Sequence, residues 1–260
     1  MFGIIYYMEN ISIGLQTVQH LKIETLLQKI HEFNLFAFEI FFNGFLPRDV
    51  NHKVRILLEE VEKNPEFLVT LHAPLIEVSK SFWFDVMEEC LAFAQKYGAR
   101  FCTIHPDPHP SKFLHKAIPL IQLALKDYKE ITILIENTPS TPADIINEIF
   151  TRVGQYKNVG LTYDIGHSQL APLTSHNQRR SAIEYLKKLK GPILESHIHT
   201  NRGKKDEHLS ICDIAGIIDL RAIIRTLIER KKFAGPLIFE YYRGDMRKDI
   251  QLLKDLINIK

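Results

Sequence analysis

The sequence predicts an α/β protein that closes into a (β/α)8 TIM barrel, one domain over residues 1–260, and three observations predict it. Short apolar runs alternate with longer segments of helical periodicity, the alternation repeats eight times, and the runs are apolar on both faces. The runs occupy 2–7, 36–42, 67–73, 100–105, 131–137, 159–166, 193–200 and 236–242, and they are rich in Ile, Phe, Tyr, Val and Thr, as strands are. A sheet with one wet face would alternate polar and apolar residues, whereas continuous apolarity calls for parallel strands covered on both sides. Between the runs, 17–33, 50–63, 82–97, 111–128, 143–156, 179–188, 220–232 and 245–257 carry apolar residues at i, i+3, i+4 and i+7, with Lys, Glu or Gln between. Ser140-Thr141-Pro142 opens the fifth of these helices, and Gly98 and Gly235 stand where helices should end. Eight strand–helix units in about 250 residues suit a closed barrel. An open doubly wound sheet is disfavoured, because no Gly-rich dinucleotide loop follows any run.

Composition narrows the class of partner. A formal net charge of +2 gives no electrostatic footprint for nucleic acid. Cys90, Cys102 and Cys212 are an odd, widely spaced set in apolar patterns, read as buried free thiols, and a reducing cytoplasm is the expected compartment. The segment MFGIIYYMEN lacks the basic start of a signal peptide, and no apolar stretch is long enough to span a membrane.

The chemistry stands where the strands end. The third run ends in His72-Ala73-Pro74, the fourth in His105-Pro106-Asp107, the fifth in Glu136-Asn137 and the sixth in Asp164-Ile165-Gly166-His167. The seventh carries His197 and His199 into a loop with Asp206 and His208, and the eighth ends in Glu240. A barrel gathers such ends on one face around its axis. Imidazole and carboxylate are ligands for zinc, manganese or iron, and four carboxylates converging without cations would repel one another. A lone His at a strand end is ordinarily structural; six consecutive strands ending in ligand types point to a divalent-metal centre.

These motifs resemble the xylose isomerase-like barrel superfamily, which includes sugar and sugar-phosphate isomerases and epimerases and the endonuclease IV group. The resemblance spans nearly the whole chain and is clearest from the third strand onward. In the endonuclease IV group nine side chains hold three zinc ions. By motif these correspond to His72 in HAP, His105 in IHP, Glu136 in IENT, Asp164 and His167 in DIGH, His197 in HIHTN, Asp206 and His208 in KDEH, and Glu240 in IFEYY. In the isomerase and epimerase branch the resemblance implies a smaller core. There Glu136, Asp164, His197 and Glu240 bind one metal, His167 contacts substrate, and Glu136 and Glu240 serve as acid and base. The segment HIHTNRGKKDEHLSI follows the H-x-H-D-N-x-G-x-x-D-x-H pattern of sugar isomerase-like members except at Thr200, where that pattern has Asp. The choice between His197 and His199 as ligand is open, and the loop that follows favours His197. Dimers are common among such barrels, so a homodimer is also implied.

Substrate cues and metal cues diverge. Nine ligands, one to three zinc or manganese ions and a bridging Glu136 suit phosphodiester chemistry. Against nucleic acid, Leu75 follows HAP where the endonuclease group typically has Tyr, that group's early Gly-x-His segment is not evident, and no basic patch is interleaved with aromatics. The expectation is therefore a sugar or sugar-phosphate isomerase or epimerase, with an endonuclease IV-like phosphodiesterase as the alternative and a non-catalytic metal- or ligand-binding barrel third. Substrate-contact candidates are Glu39, Asn137, His199, Arg202, Lys204 and Arg243. Glu39 is equally well read as a partner for a nearby His, and Asn137 as an orienter of Glu136. Phe82, Trp83 and Phe84 are read as helix packing or as a pocket wall.

Overall fold

A computed structural model describes residues 11–17, 23–42, 46–49, 52–176, 180–241 and 244–258. Eight parallel strands close in sequence order: β1 (Ile13–Gln16), β2 (Ala37–Phe41), β3 (Leu68–His72), β4 (Phe101–Ile104), β5 (Thr132–Glu136), β6 (Val159–Asp164), β7 (Ile193–Ile198) and β8 (Leu237–Phe239). Helices α1 (Ile23–Phe33), α2 (His52–Lys63), α3 (Trp83–Lys96), α4 (Pro110–Asp127), α5 (Ala143–Val153), α6 (Ile165–Leu170), α7 (Ala182–Lys188), α8 (Leu220–Arg225) and α9 (Met246–Asn258) lie between and after them. Their apolar stripes meet the outer faces of the strands, as Trp83, Phe113 and Tyr185 illustrate, each 1% exposed or less. Trp83 therefore packs in the helical shell, while Phe82 beside it is exposed.

The first strand is not the one expected. The run at 2–7 lies outside the described residues, and the first place in the barrel belongs to Ile13–Gln16, which pairs with both β2 and β8. Its apolar residues, Ile13 and Leu15, alternate with Gly14 and Gln16, so it has none of the continuous apolarity used to find the others. Gly14 is required there, because a Cβ would lie 2.6 Å from both the Ala37 carbonyl oxygen and the Ile238 side chain.

Three other boundaries move for identifiable reasons. Residues 165 and 166 are helical rather than extended, since Asp164 caps α6 by accepting the His167 N–H (2.5 Å). Thr17 is outside α1 and accepts the Phe41 N–H instead (2.9 Å). The segment 220–232 leaves α8 for a π-turn, Thr226–Arg230, and Lys232 takes the left-handed backbone (φ 55°). Gly98 does end α3 (φ 69°), but Gly235 has a different role, allowing the chain to press against the Leu194 carbonyl. Cys90 and Cys102 are buried, whereas Cys212 is exposed because it sits in a loop turn rather than on a strand. Among the described residues no helix is long and apolar enough to cross a membrane.

The barrel interior is polar beneath its mouth. Thr103, Thr162 and Glu195, from β4, β6 and β7, join across the axis through contacts of 2.8 and 3.0 Å. Gln16 donates to Glu39 (2.7 Å) and to Glu240 (3.1 Å). This layer forms the floor of the site.

Candidate metal centre

Parallel strands all deliver their C-terminal ends to one rim, so residues far apart in sequence become neighbours. Glu136, at the end of β5 and fully buried, stands at the middle. Its Oε2 is 2.9 Å from His72 Nε2 and 2.8 Å from His105 Nε2. Its Oε1 is 3.2 Å from His197 Nδ1 and 3.3 Å from His167 Nδ1. His197 Nδ1 is also 3.2 Å from Glu240 and 3.7 Å from Asp164. Beyond Asp164 the cluster continues outward: His167 Nε2 and His208 Nε2 reach one oxygen of Asp206 at 3.0 and 3.1 Å. All nine residues singled out by motif meet here.

The hydrogen bonds behind these residues test whether a cation fits. His72 Nδ1 lies 2.8 Å from the Ala73 carbonyl, His167 Nδ1 2.9 Å from the Asn137 carbonyl and His208 Nδ1 2.7 Å from the Glu240 carbonyl. A carbonyl only accepts, so each Nδ1 carries the proton, and in the neutral ring Nε2 is left with a lone pair. Yet each Nε2 faces a carboxylate oxygen, which also only accepts. Lone pairs facing one another are held together by a second ring proton or by a cation between them. Fixing a ligand's tautomer through its far nitrogen is what metal sites do with histidine. The side chains fall into groups whose ligand atoms lie within 4.8 Å of one another: His72, Glu136 and His197; Glu136, Asp164, His197 and Glu240; and His167, His199, Asp206 and His208. The first two share Glu136 and His197, and the third is the outermost.

Electrostatics agree. Burial favours neutral rings, yet Glu136 and Glu39 push His72 up to about 9. Asp206 and Glu240 do the same to His208, also to about 9. His167 and His197 are driven well above their ordinary value against the same burial, by Asp164 and Asp206 for the first and by Glu39 and Glu136 for the second. Burial acts to raise Glu136 and Asp164, but His105 and His197 hold the first well below the carboxylate range, and His167 and His199 the second. The pocket thus demands positive charge, which protons or metal ions can supply.

The expected substrate contacts fare differently. Glu39 is fully buried under His197, 3.3 Å from its Nε2. Asn137 staples β5 to β6, donating to the Asp164 carbonyl (2.8 Å) and accepting its N–H (2.9 Å). His199 is 1% exposed, with Nε2 3.0 Å from each Asp164 oxygen. All three are buried and pack against other residues of the cluster, Glu39 on His197, Asn137 on the Asp164 backbone and His199 on the Asp164 carboxylate. His197 and His199 both enter the cluster, in separate groups. Arg202 is exposed and paired with Glu207 (2.7 Å), Lys204 is exposed on the same loop, and Arg243 lies outside the described residues. Sequence reasoning passed over Gln16 and Glu195. Burial and Glu39 push Glu195 up to about 7; its only sequence signal is a carboxylate two residues before His197.

A closed eight-stranded parallel barrel with polar side chains gathered at the C-terminal strand ends defines the class: a TIM barrel with a candidate divalent-cation centre. The chain belongs to the xylose isomerase-like TIM barrel family, whose model matches residues 27–256. An uncharacterised protein of Methanocaldococcus jannaschii is 29% identical over 171 residues, 58% of this chain and 63% of that protein. Among solved structures, a D-tagatose 3-epimerase-like protein superposes with a TM-score of 0.76 at 23% identity, covering 95% of this chain and 97% of the other. Endonuclease IV from Thermus thermophilus does so with a TM-score of 0.64 at 15% identity, over 95% and 98%. At these identities the likeness to solved structures establishes the fold.

Proposed function

We propose that this chain is a multinuclear, divalent-metal-dependent phosphoesterase, the reading that the sequence alone placed second. The observation that carries it is the position of Glu136. Ligand-type imidazole nitrogens stand at both of its oxygens, His72 and His105 Nε2 at Oε2 and His197 Nδ1 at Oε1, and its carboxyl is held well below the ordinary range by His105 and His197 against the opposing effect of burial. A general base works best with a pKa near the operating pH and a free oxygen aimed at substrate. Glu136 has neither, but a carboxylate with ligands on both sides is suited to bridge two cations. Divalent ions held in these groups would supply Lewis-acid stabilisation of charge on a phosphoryl group. The chain's own contribution is geometric. Backbone carbonyls fix the rings of His72, His167 and His208, Glu39 sits behind His197, and Asn137 holds Asp164.

A second reading, sugar isomerisation or epimerisation, is favoured by one feature. Glu136, Asp164, His197 and Glu240 form a self-sufficient four-ligand group, in which Glu240 Oε2 stands 3.2 Å from His197 Nδ1. In that reading His72, His105, Asp206 and His208 are surplus.

Metal analysis of purified protein, with assays on a phosphodiester such as bis(p-nitrophenyl) phosphate and on ketoses in deuterated water, separates the two. Phosphodiester hydrolysis with occupancy of all three groups is expected. One ion per chain, with deuterium entering the sugar, would overturn the proposal.

A further inference from the structure

The loop between β7 and α8 carries Asp206 and His208, and its return to the barrel depends on a carboxylate that touches neither. Asp249, in the first turn of α9, is fully buried. The Ser210 hydroxyl stands 2.8 Å from each of its oxygens, the Cys212 N–H donates to Oδ1 at 3.0 Å, and the Tyr241 phenol donates to Oδ2. Ser210 lies two residues beyond His208, and Tyr241 directly follows Glu240. One side chain therefore ties together both segments that bring ligands from the last two strands.

Two further observations show how closely this tie is fitted. His208 adopts a left-handed backbone (φ 46°), a conformation uncommon outside glycine but one that histidine enters more readily than most residues. Gly244 (φ 144°) passes so close to Ser210 that any Cβ would collide with it, and that Cβ would also come within 3.4 Å of Asp249. The loop's return is pinned as well by the Thr200–Leu209 bridge and by the bond from His208 Nδ1 to the Glu240 carbonyl. Ser210 and Cys212 come next along the chain, so the carboxylate of Asp249 anchors the stretch that immediately follows His208.

We infer that Asp249 is a positioning residue for the outermost metal group, fixing Asp206 and His208 opposite His167 without contacting an ion. The inference rests on the multinuclear reading above. Its test compares wild type with Asp249→Asn, which keeps the shape and removes the charge. Occupancy is titrated with zinc and counted by elemental analysis, and melting is followed in chelator. The outer ion is expected to bind roughly 10- to 100-fold more weakly, as for loss of a supporting partner. The inner ions should bind as in wild type, and the chelator-treated proteins should melt together. Should Asp249→Asn fail to fold, Ser210→Ala, which leaves Cys212 and Tyr241 on the carboxylate, is expected to weaken the outer ion alone, by roughly 10-fold. Full outer occupancy in the folded variant overturns the inference. So does loss of inner and outer ions together. A wild-type chain lacking an outer ion overturns this inference and the multinuclear reading alike, whereas wild-type occupancy of all groups alongside an unchanged variant overturns the positioning role only.

Discussion

Glu136→Gln should reset the protonation of the whole centre, and His72 is the place to measure it. A unit charge pair 2.9 Å apart attracts by about 6 kcal/mol at an effective dielectric near 20. Burial of the ring and the neighbouring His197 oppose this. The net effect pushes His72 from 6.5 to about 9, worth about 3 kcal/mol, so roughly half of the gross attraction survives. In metal-free protein that stabilisation is fully present below about 6.5 and is lost as pH rises through about 9. Glutamine removes the charge and can donate to the neutral His72 Nε2, so the midpoint should fall to 6.5 or below. Histidine resonances followed by NMR across pH 5–10 in chelator would report it. The alkaline loss of stability expected of metal-free wild type should flatten in the variant. A variant midpoint that stays near 9, or a wild-type midpoint near 6.5, would refute the electrostatic account of the site.

Metal binding near neutral pH should release protons, because His72 and His208 enter it charged, at about 9 each, and must give up Nε2 protons to ligate. Calorimetry in buffers of different ionisation enthalpy should show this, with affinity rising toward pH 9; buffer-independent heats would contradict it. Glu39→Gln should weaken the ions sharing His197 by roughly 10- to 100-fold, with the outer group unaffected, as equilibrium dialysis would show. Gly166→Ala should drive a methyl into the His199 ring, which lies against Gly166, and lower occupancy of the outer group; an unchanged metal count would show that His199 takes no part there.

Much of the site was legible because a barrel converts a sequence rule into a spatial one. His72, His105, Glu136, Asp164, His197 and Glu240 each lie at or just past a strand end, and strand ends converge. Where that rule gives no direction, alternatives stayed open. Glu39, Asn137 and His199 have the residue types of substrate contacts, but which way each side chain points depends on twist and register. Ile13–Gln16 was missed because a four-residue strand with Gly and Gln has no apolar signature; its neighbours β8 and β2 define it. Asp249 looked like any acidic first-turn residue, and its burial beneath Ser210 and Tyr241 is a property of packing between distant segments.

The chain's own pattern thus determined seven of the eight strands, the parallel arrangement and the set of residues capable of ligating a cation, since periodicity and residue chemistry are local. Only the closed barrel decided which carboxylate sits among four imidazole nitrogens and which ring nitrogen faces inward. Those facts follow from where backbone carbonyls and buried side chains from other strands come to rest, and no single stretch of sequence contains them.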